Sequence, residues 1–307
     1  MVEKGPVEVA LSPFARIKTR PTRSAWDKAR QVLRQVARNK SALLGTTILL
    51  IILTAALFAP QLAPRDPNKQ NLSQRLQPPS LRSLLGTDQY GRDILSRLIF
   101  GSRISLMIGV VAVFIGMILG LLTGLVSGFY GGLVDSLLMR FVDMLMVLPT
   151  LILALSILAV LGPDMSNVMI AVGISISPRF ARMLRSSVLA AKESEYVEAT
   201  RAMGGGDLRI MFLHILPNCL SPTIVVTSLM IANCILVEAN LSFLGLGAPP
   251  PAPAWGSMIS EGLRYLRSAP WVSTFSGFAI MLAVLGFNLL GDGLRDLLDP
   301  RLRTEDG

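Results

Sequence analysis

The chain is short of charge. Only 16% of its 307 residues are Asp, Glu, Lys or Arg, while 51% are hydrophobic and the mean hydropathy is +0.56. A soluble domain carries about 25% charged residues. Too few are present to cover a globule of this size, which excludes an ordinary soluble enzyme and a disordered chain and makes lipid the solvent for much of the molecule. Histidine is nearly missing: His214 stands alone, so multi-histidine metal sites are excluded and the residue reads as structural or interfacial. No Gly-Lys pair occurs, so the phosphate-cradling G-x-x-x-x-G-K-[ST] loop is absent and any ATP hydrolysis belongs to another chain. No G-x-S-x-G nucleophile turn occurs either. The two cysteines, Cys219 and Cys234, fall in one apolar segment read as a helix. Fifteen residues of helix rise about 22 Å, whereas a disulfide needs Cα atoms within about 7 Å, so the two are expected as separate buried thiols.

What the sequence has is long uncharged runs. A hydrocarbon core of ~30 Å takes about 20 residues of helix. Five runs fit: Ser41–Pro60, Ile104–Ser127, Met144–Gly162 with Pro149 inside it, Ile210–Val237 with Pro217 and Pro222, and Ser268–Gly291. A sixth, Met165–Pro178, is short unless it continues through Phe180, Ala181 and Met183. The reading is an all-α membrane protein of about six transmembrane helices. The first run starts at residue 41 and no small-x-small cleavage site follows it, so it reads as a retained anchor rather than a leader.

Twenty of the 29 Lys and Arg fall on one side when the N-terminus is placed inside, ten of them in residues 1–40 against three acidic residues. Cytoplasmic segments collect Lys and Arg, so both termini are expected in the cytoplasm. In a soluble protein the net charge of +9 would raise nucleic-acid binding; here it reads as a topology signal, and no nucleic-acid partner is expected. Trp26, Ala29, Leu33 and Ala37 recur at helical spacing opposite Lys28, Arg30, Arg34 and Arg38. That is a basic amphipathic helix, to lie on the inner leaflet or to dock a partner. The organisation that follows is a tail at 1–40, a first span at 41–60, an external loop at 61–103, a core at 104–293 and a C-terminal tail at 294–307.

Gly116, Gly120, Gly124 and Gly128 set a smooth stripe on one helix face, for close internal packing or for a moving interface. Arg140 and Asp143 are three apart and can pair. The spans are nearly free of ionisable groups, which disfavours an ion-coupled carrier; Glu238, followed by Asn240, is the candidate to face a translocation pathway. The Pro- and Gly-dense stretch 245–253 cannot be regular helix and reads as a rigid outer loop. The inner loop at about 187–213 places Tyr196, Ala199, Ala202 and Met203 at helical spacing; Gly204-Gly205-Gly206 then ends the helix and Asp207 can cap the next. It reads as a compact knob that a partner can grip, or as a connector folded back on the membrane.

At this loop Glu198-Ala199-Thr200, then Gly204, then His214-Ile215-Leu216-Pro217 resemble the signature of binding-protein-dependent ABC importer permeases, with Thr200 in place of the usual second Ala and His214 in place of Ile. Leu85-Gly86-Thr87-Asp88, Gly91-Arg92-Asp93 through Arg97, Leu241 to Gly247 with Trp255 and Gly256, and Phe287 to Asp296 with Asp299-Pro300 are similar to the dipeptide/oligopeptide branch, specifically the C-type of its two permease subunits. The likeness runs from about Arg38 to Arg301. It implies the type I ABC importer permease fold in a bacterial cytoplasmic (inner) membrane. It implies a B-type permease as partner, two ABC ATPases that bind the ATP and Mg, an external solute-binding protein, and no cofactor or catalysis in this chain. It implies that Glu198, Ala199, Ala202 and Gly204 dock on the ATPase as a coupling helix, with Thr200, Leu216 and Pro217 completing the signature. It implies di- or oligopeptide cargo, with glutathione, nickel or opine-like solutes carried by related branches. An ATP-independent channel or carrier is the alternative class.

Overall fold

The computed structural model describes residues 39–298; the amphipathic segment expected over 24–40 and the Asp299-Pro300 motif lie almost wholly or wholly outside them. The described residues form helices α1 (Lys40–Leu57), α2 (Ala59–Leu62), α3 (Ile94–Tyr130), α4 (Gly132–Val147), α5 (Thr150–Leu161), α6 (Met165–Lys192), α7 (Glu195–Ala202), α8 (Asp207–Arg209), a π-helical turn Ile210–Ile215, then α9 (Leu216–Phe243), α10 (Trp255–Leu263) and α11 (Trp271–Leu298).

Several helices begin on a capping side chain. Asn39 accepts from the backbone N–H of Ser41 at 3.0 Å, Asp93 from Ser96 at 2.9 Å and Asp164 from Ser166 at 2.9 Å, which satisfies donors the first turn leaves open. By length and composition four helical stretches among the described residues can cross a membrane, Lys40–Leu57, Ile94–Tyr130, Pro222–Phe243 and Trp271–Asp296. The α4–α5 pair raises this to at most five. The expected count of six therefore drops to four or five on this measure. Missing from either count is α6: its 28 residues rise about 42 Å, but its second half carries Arg179, Arg182, Arg185 and Lys192.

Two expected spans change shape. The run Met144–Gly162 is not one helix: it breaks at Leu148-Pro149, and the two halves are bent by 94°. Pro149 holds the residue before it out of the α region, and Leu148 is extended with ψ 133°. Pro178, by contrast, lies inside an unbroken α6. A proline leaves the carbonyl four residues back without its N–H, and the Ser177 hydroxyl donates to that carbonyl, Ile174 O, at 2.8 Å.

The glycine stripe is internal packing. Gly116, Gly120, Gly124 and Gly128 of α3 lie against Ile176, Phe180, Ala181 and Val188 of α6, with Gly173 of α6 answering against Ala112 and Ile115. A Cβ at Gly120 would overlap the Phe180 Cβ and lie 2.7 Å from the Ser177 carbonyl oxygen, atoms that cannot rotate away. Gly120→Ala should therefore destabilise the purified protein by about 1–3 kcal/mol. Gly277→Ala in α11, with nothing within 4 Å, should be neutral or stabilising. Thermal melting of both variants in one detergent checks the pair; equal melting would refute the close approach.

Three buried clusters stack along the bundle. The central one joins α3, α5, α6 and α9 through Ile108, Leu158, Val172, Ile176, Phe180 and Cys234. One end is closed by Ile94, Ile235, Trp255, Met258 and Val272, the other by Leu125, Phe129, Leu184, Val188, Val197 and Ile210. Cys219 and Cys234 are both buried and unpaired. α1 packs on α11, where a Cβ at Gly45 would lie 2.7 Å from Leu290 N and 2.8 Å from Gly286 O.

Residues 61–93, expected as loop, fold into a unit at the start of α3. Thr87 takes the Gln74 carbonyl at 2.5 Å and caps Gln77 N at 2.9 Å; Trp271 Nε1 donates to Thr87 O at 3.2 Å and Trp255 Nε1 to Leu98 O at 3.1 Å. Beneath it lies a charge quartet of which Asp88, Arg92 and Arg97 are buried and Glu261 is partly exposed. Arg92 Nε meets Asp88 Oδ2 at 2.6 Å and Arg92 Nη2 meets Glu261 Oε2 at 2.7 Å, while Arg97 approaches the same two carboxylates at 3.7 and 3.9 Å. The Arg97 side chain is only 1% exposed. Two cations against two anions leave the group neutral, which is the condition for burying it. The following Pro-rich stretch is non-helical up to Trp255, and α10 then supplies Glu261 to the quartet.

Candidate functional site

The end of the bundle opposite that unit carries the knob. α6 runs to Lys192, whose Nζ donates to Phe129 O at 2.7 Å, and α7 starts three residues later. Glu195 and Glu198 fall in the first turn of α7 and Arg201 in its last, each sign matched to the helix dipole. Val197, 1% exposed, is planted among Leu125, Phe129, Leu184, Val188, Ile210 and Ile215. The knob is thus packed on the ends of α3 and α6 through their side chains.

The opposite face of α7 is free. Glu198, Ala199 and Ala202 are exposed, with Met203 81% exposed just beyond. Thr200 is on the inner face; its hydroxyl donates to Tyr196 O at 2.7 Å. A Cβ at position 205 would lie 2.7 Å from the Thr200 methyl and 2.8 Å from the Thr200 carbonyl oxygen, so the close approach there requires Gly205. Gly204 has φ +81°, with nothing within 4 Å of its absent Cβ; this left-handed residue stops α7 as expected. Asp207 does not cap α8. The cap position is Gly206, and Asp207 sits inside the first turn, where its charge favours the dipole without closing a hydrogen bond.

From Ile210 to Ile215 the helix widens to a π turn, a form that occurs mainly as a short insertion at functional sites. His214 lies half-buried on it and, with Thr200, Met203, Gly204, Gly205 and Arg209, lines a hollow of about 250 Å³. Leu216 and Pro217 open α9, which runs on directly from the π turn, Leu216 N donating to Met211 O. Leu208 and Leu213, 68% and 65% exposed, ring the knob with apolar side chains; charge and glycine spacing drew attention away from them. The arrangement offers a rigid apolar and acidic face to a macromolecule. It holds no nucleophile–base pair, and among the described residues no cluster of His, Cys, Asp and Glu is able to hold a metal.

The pathway candidates separate. Glu238 is 0% exposed. Its carboxylate accepts from Ser242 Oγ at 2.6 Å and Ser105 Oγ at 3.3 Å, between α9 and α3. It therefore faces the interior of the subunit rather than a surface that could line a route. Asn240 is exposed, its amide donating to Leu236 O at 2.7 Å; two residues apart on a helix point to different faces. Arg140 and Asp143 do not pair with each other. Asp143 takes Arg182 of α6 at 2.7 Å, and Asp135 takes Arg185.

Two family descriptions match the sequence: "binding-protein-dependent transport system inner membrane component" over residues 116–304, and "N-terminal TM domain of oligopeptide transport permease C" over residues 27–79. The dipeptide transport system permease protein DppC of Escherichia coli K12 is 48% identical over 272 residues, 87% of this chain and 91% of that protein. The protein of the same name from Alkalihalophilus pseudofirmus is 44% identical over 281 residues, 92% and 91%. The di/tripeptide transport system permease DppC of Pseudomonas aeruginosa is 45% identical over 274 residues, 87% and 90%. Among solved structures, a chain of the inward-facing MetNI methionine ABC transporter superposes with a TM-score of 0.55 at 18% identity, covering 67% of this chain and 98% of that one. That likeness concerns the fold.

Proposed function

This chain belongs to the family of binding-protein-dependent transport system inner membrane components, and from that premise we propose that it is the C-type permease subunit of an ATP-driven importer for di- and oligopeptides. The observation that carries the reading is the exposed face of Glu198, Ala199 and Ala202, held rigid by Val197 and ended by Gly204, at the family's docking signature. The peptide cargo follows the relatives, whose names give dipeptides or di/tripeptides.

In this reading the knob lies in the cytoplasm with both termini, as the Lys and Arg distribution favours. Two ATPase subunits bind ATP and Mg and grip α7 on this chain and its counterpart on a B-type permease. A solute-binding protein delivers peptide from outside. ATP closes the ATPase pair, the knobs move, and the two permeases exchange inward- and outward-open states, a population shift driven by differential binding. This chain contributes the route and the handle, and the hydrolysis occurs elsewhere.

The test is reconstitution of the complex purified through a tag on this chain. Two ATPase subunits and a second permease should copurify in fixed ratio, and proteoliposomes containing them should take up labelled dipeptide only with ATP and the binding protein. Unlabelled di- and tripeptides should compete; glutathione and nickel should not. Solute flux through this chain alone, without ATP, would move the channel or carrier reading to the front.

A further inference from the structure

α4 stands apart from the rest of the bundle. Both its ends are breaks. Gly131 and Gly132 have φ +67° and +54°, and neither has any atom within 4 Å of an added Cβ, so the joint with α3 is unobstructed and uses backbone that only glycine adopts freely. The other end is the 94° bend at Leu148-Pro149. Of its sixteen residues only Val142 is buried, while Leu133, Leu137, Phe141, Met144 and Val147 are exposed. Within this chain, apolar packing holds the helix through Val142 alone.

Polar contacts to α6 add to that hold. Arg185 grips Asp135 with two bonds, Nε to Oδ1 at 2.6 Å and Nη2 to Oδ2 at 2.5 Å, and the Ser127 hydroxyl of α3 donates to the same carboxylate. Arg182 Nη2 reaches Asp143 at 2.7 Å. The two aspartates are eight residues apart, about 12 Å along α4, while the two arginines are three apart, about 4.5 Å along α6. The attachment points are therefore separated on the arm and close together on the lever, which fixes the angle of α4 as well as its position. α6 itself is a single helix from Met165 to Lys192, glued to α3 by the glycine stripe, and its last turns share a buried cluster with Val197 of the knob.

We propose that Asp135–Arg185 and Asp143–Arg182 are positioning pairs that carry displacement of the knob, through α6, to α4 and so across the Pro149 bend to α5. The proposal rests on the importer reading above. It separates coupling from stability. Asp143 and Arg182 are about half exposed, at 56% and 51%, and an exposed pair contributes little to folding. Its removal should leave the folded complex intact and weaken only the mechanical link.

The experiment uses the full reconstituted complex. Asp143→Asn and Arg182→Gln, singly and together, should leave melting temperature and ATP hydrolysis near the native values while peptide imported per ATP hydrolysed falls about fivefold or more, the lower range of a site-to-site coupling. The reversed pair Asp143→Arg with Arg182→Asp should recover part of the loss. Spin labels at Leu137→Cys on α4 and Leu189→Cys on α6 should give one narrow distance, the same with and without ATP, that broadens in the double neutral variant. A native coupling ratio in the double variant overturns the role, as does a 137–189 distance that changes with ATP in the otherwise native complex. If the native complex itself shows no ATP-driven uptake, the importer reading fails and this role falls with it.

Discussion

Gly204→Asp should abolish ATP-driven uptake, down to the background of cells lacking the chain, while the protein should still reach the membrane at its normal level. Position 204 has φ +81° and empty space around it. A non-glycine residue costs about 1–2 kcal/mol there, and Asp is among the types that tolerate the conformation, so folding survives. What changes is the surface. A carboxylate is placed beside Asp207 in the short break between α7 and α8, on the face where Ala199 and Ala202 leave room for a partner, and docking there then meets bulk and charge. Glu198→Lys should give the same phenotype by reversing the charge of that face. Gly206→Ala is the control. Its φ is −71° and nothing lies within 4 Å, so uptake should continue. Uptake in immunoblot-matched cells decides the matter: normal transport by Gly204→Asp would remove the knob from the mechanism. Equal loss in Gly206→Ala would show that the segment tolerates no added atom and that position 204 is not special.

Asp88→Ala should destabilise the protein by about 3–5 kcal/mol, more than Gly120→Ala in the glycine seam. Asp88 is 1% exposed. Its Oδ2 balances Arg92 and Arg97, and its Oδ1 accepts from the backbone N–H groups of Tyr90 and Arg92, both at 2.9 Å. Without it two buried guanidiniums share only Glu261, and two turn donors lose their acceptor. The cost is that of an uncompensated buried charge, which exceeds what the pair contributes when intact. Asp88→Asn keeps the Oδ1 acceptor for the two turn N–H groups but sets an NH2 donor against Arg92 Nε where Oδ2 stood, so it should recover only the part of the loss that those two bonds carry. Limited proteolysis within 61–93 and the thermal midpoint report the effect together; an Asp88→Ala protein that melts and resists protease like the native one would show that the quartet is incidental.

The helices were legible where apolar residues run unbroken. Ser41–Pro60, Ile104–Ser127 and Ser268–Gly291 fall on α1, α3 and α11. The start of α3 was not, because a run of uncharged residues treats Arg97 and Arg103 as boundaries, yet the helix begins at Ile94. Arg97 is inside because Asp88 and Glu261 neutralise it, and Glu261 lies 169 residues beyond Arg92, a pairing that no local pattern encodes. Proline was similarly ambiguous: Pro149 breaks its helix and Pro178 does not, the latter with the Ser177 hydroxyl on the freed carbonyl and the glycine stripe of α3 packed on both sides of it. The knob is legible in the helical spacing of Tyr196, Ala199, Ala202 and Met203 and in the glycine break after them, its docking role only in the family resemblance; Asp207 is not the cap expected there, because Gly206 takes that place. The pairing of Arg140 with Asp143 failed because helical spacing sees only neighbours on one helix, and the arginines of α6 lie closer.

The contact between α1 and α11 has a consequence for biosynthesis. Gly45 lies against Leu290 and Gly286, Ala42 against Gly293, and Asn39 donates to Asp296 at 3.0 Å. Among the described residues the first long helix therefore has its main partner in the last. Some 230 residues separate them, roughly ten to fifty seconds of translation at about 5–20 residues per second. Throughout that interval the small-residue seam of α1 has only lipid, α3 or an insertion factor to lie against. The seam closes only once α11 has been made, and a chain cut short before α11 leaves it open.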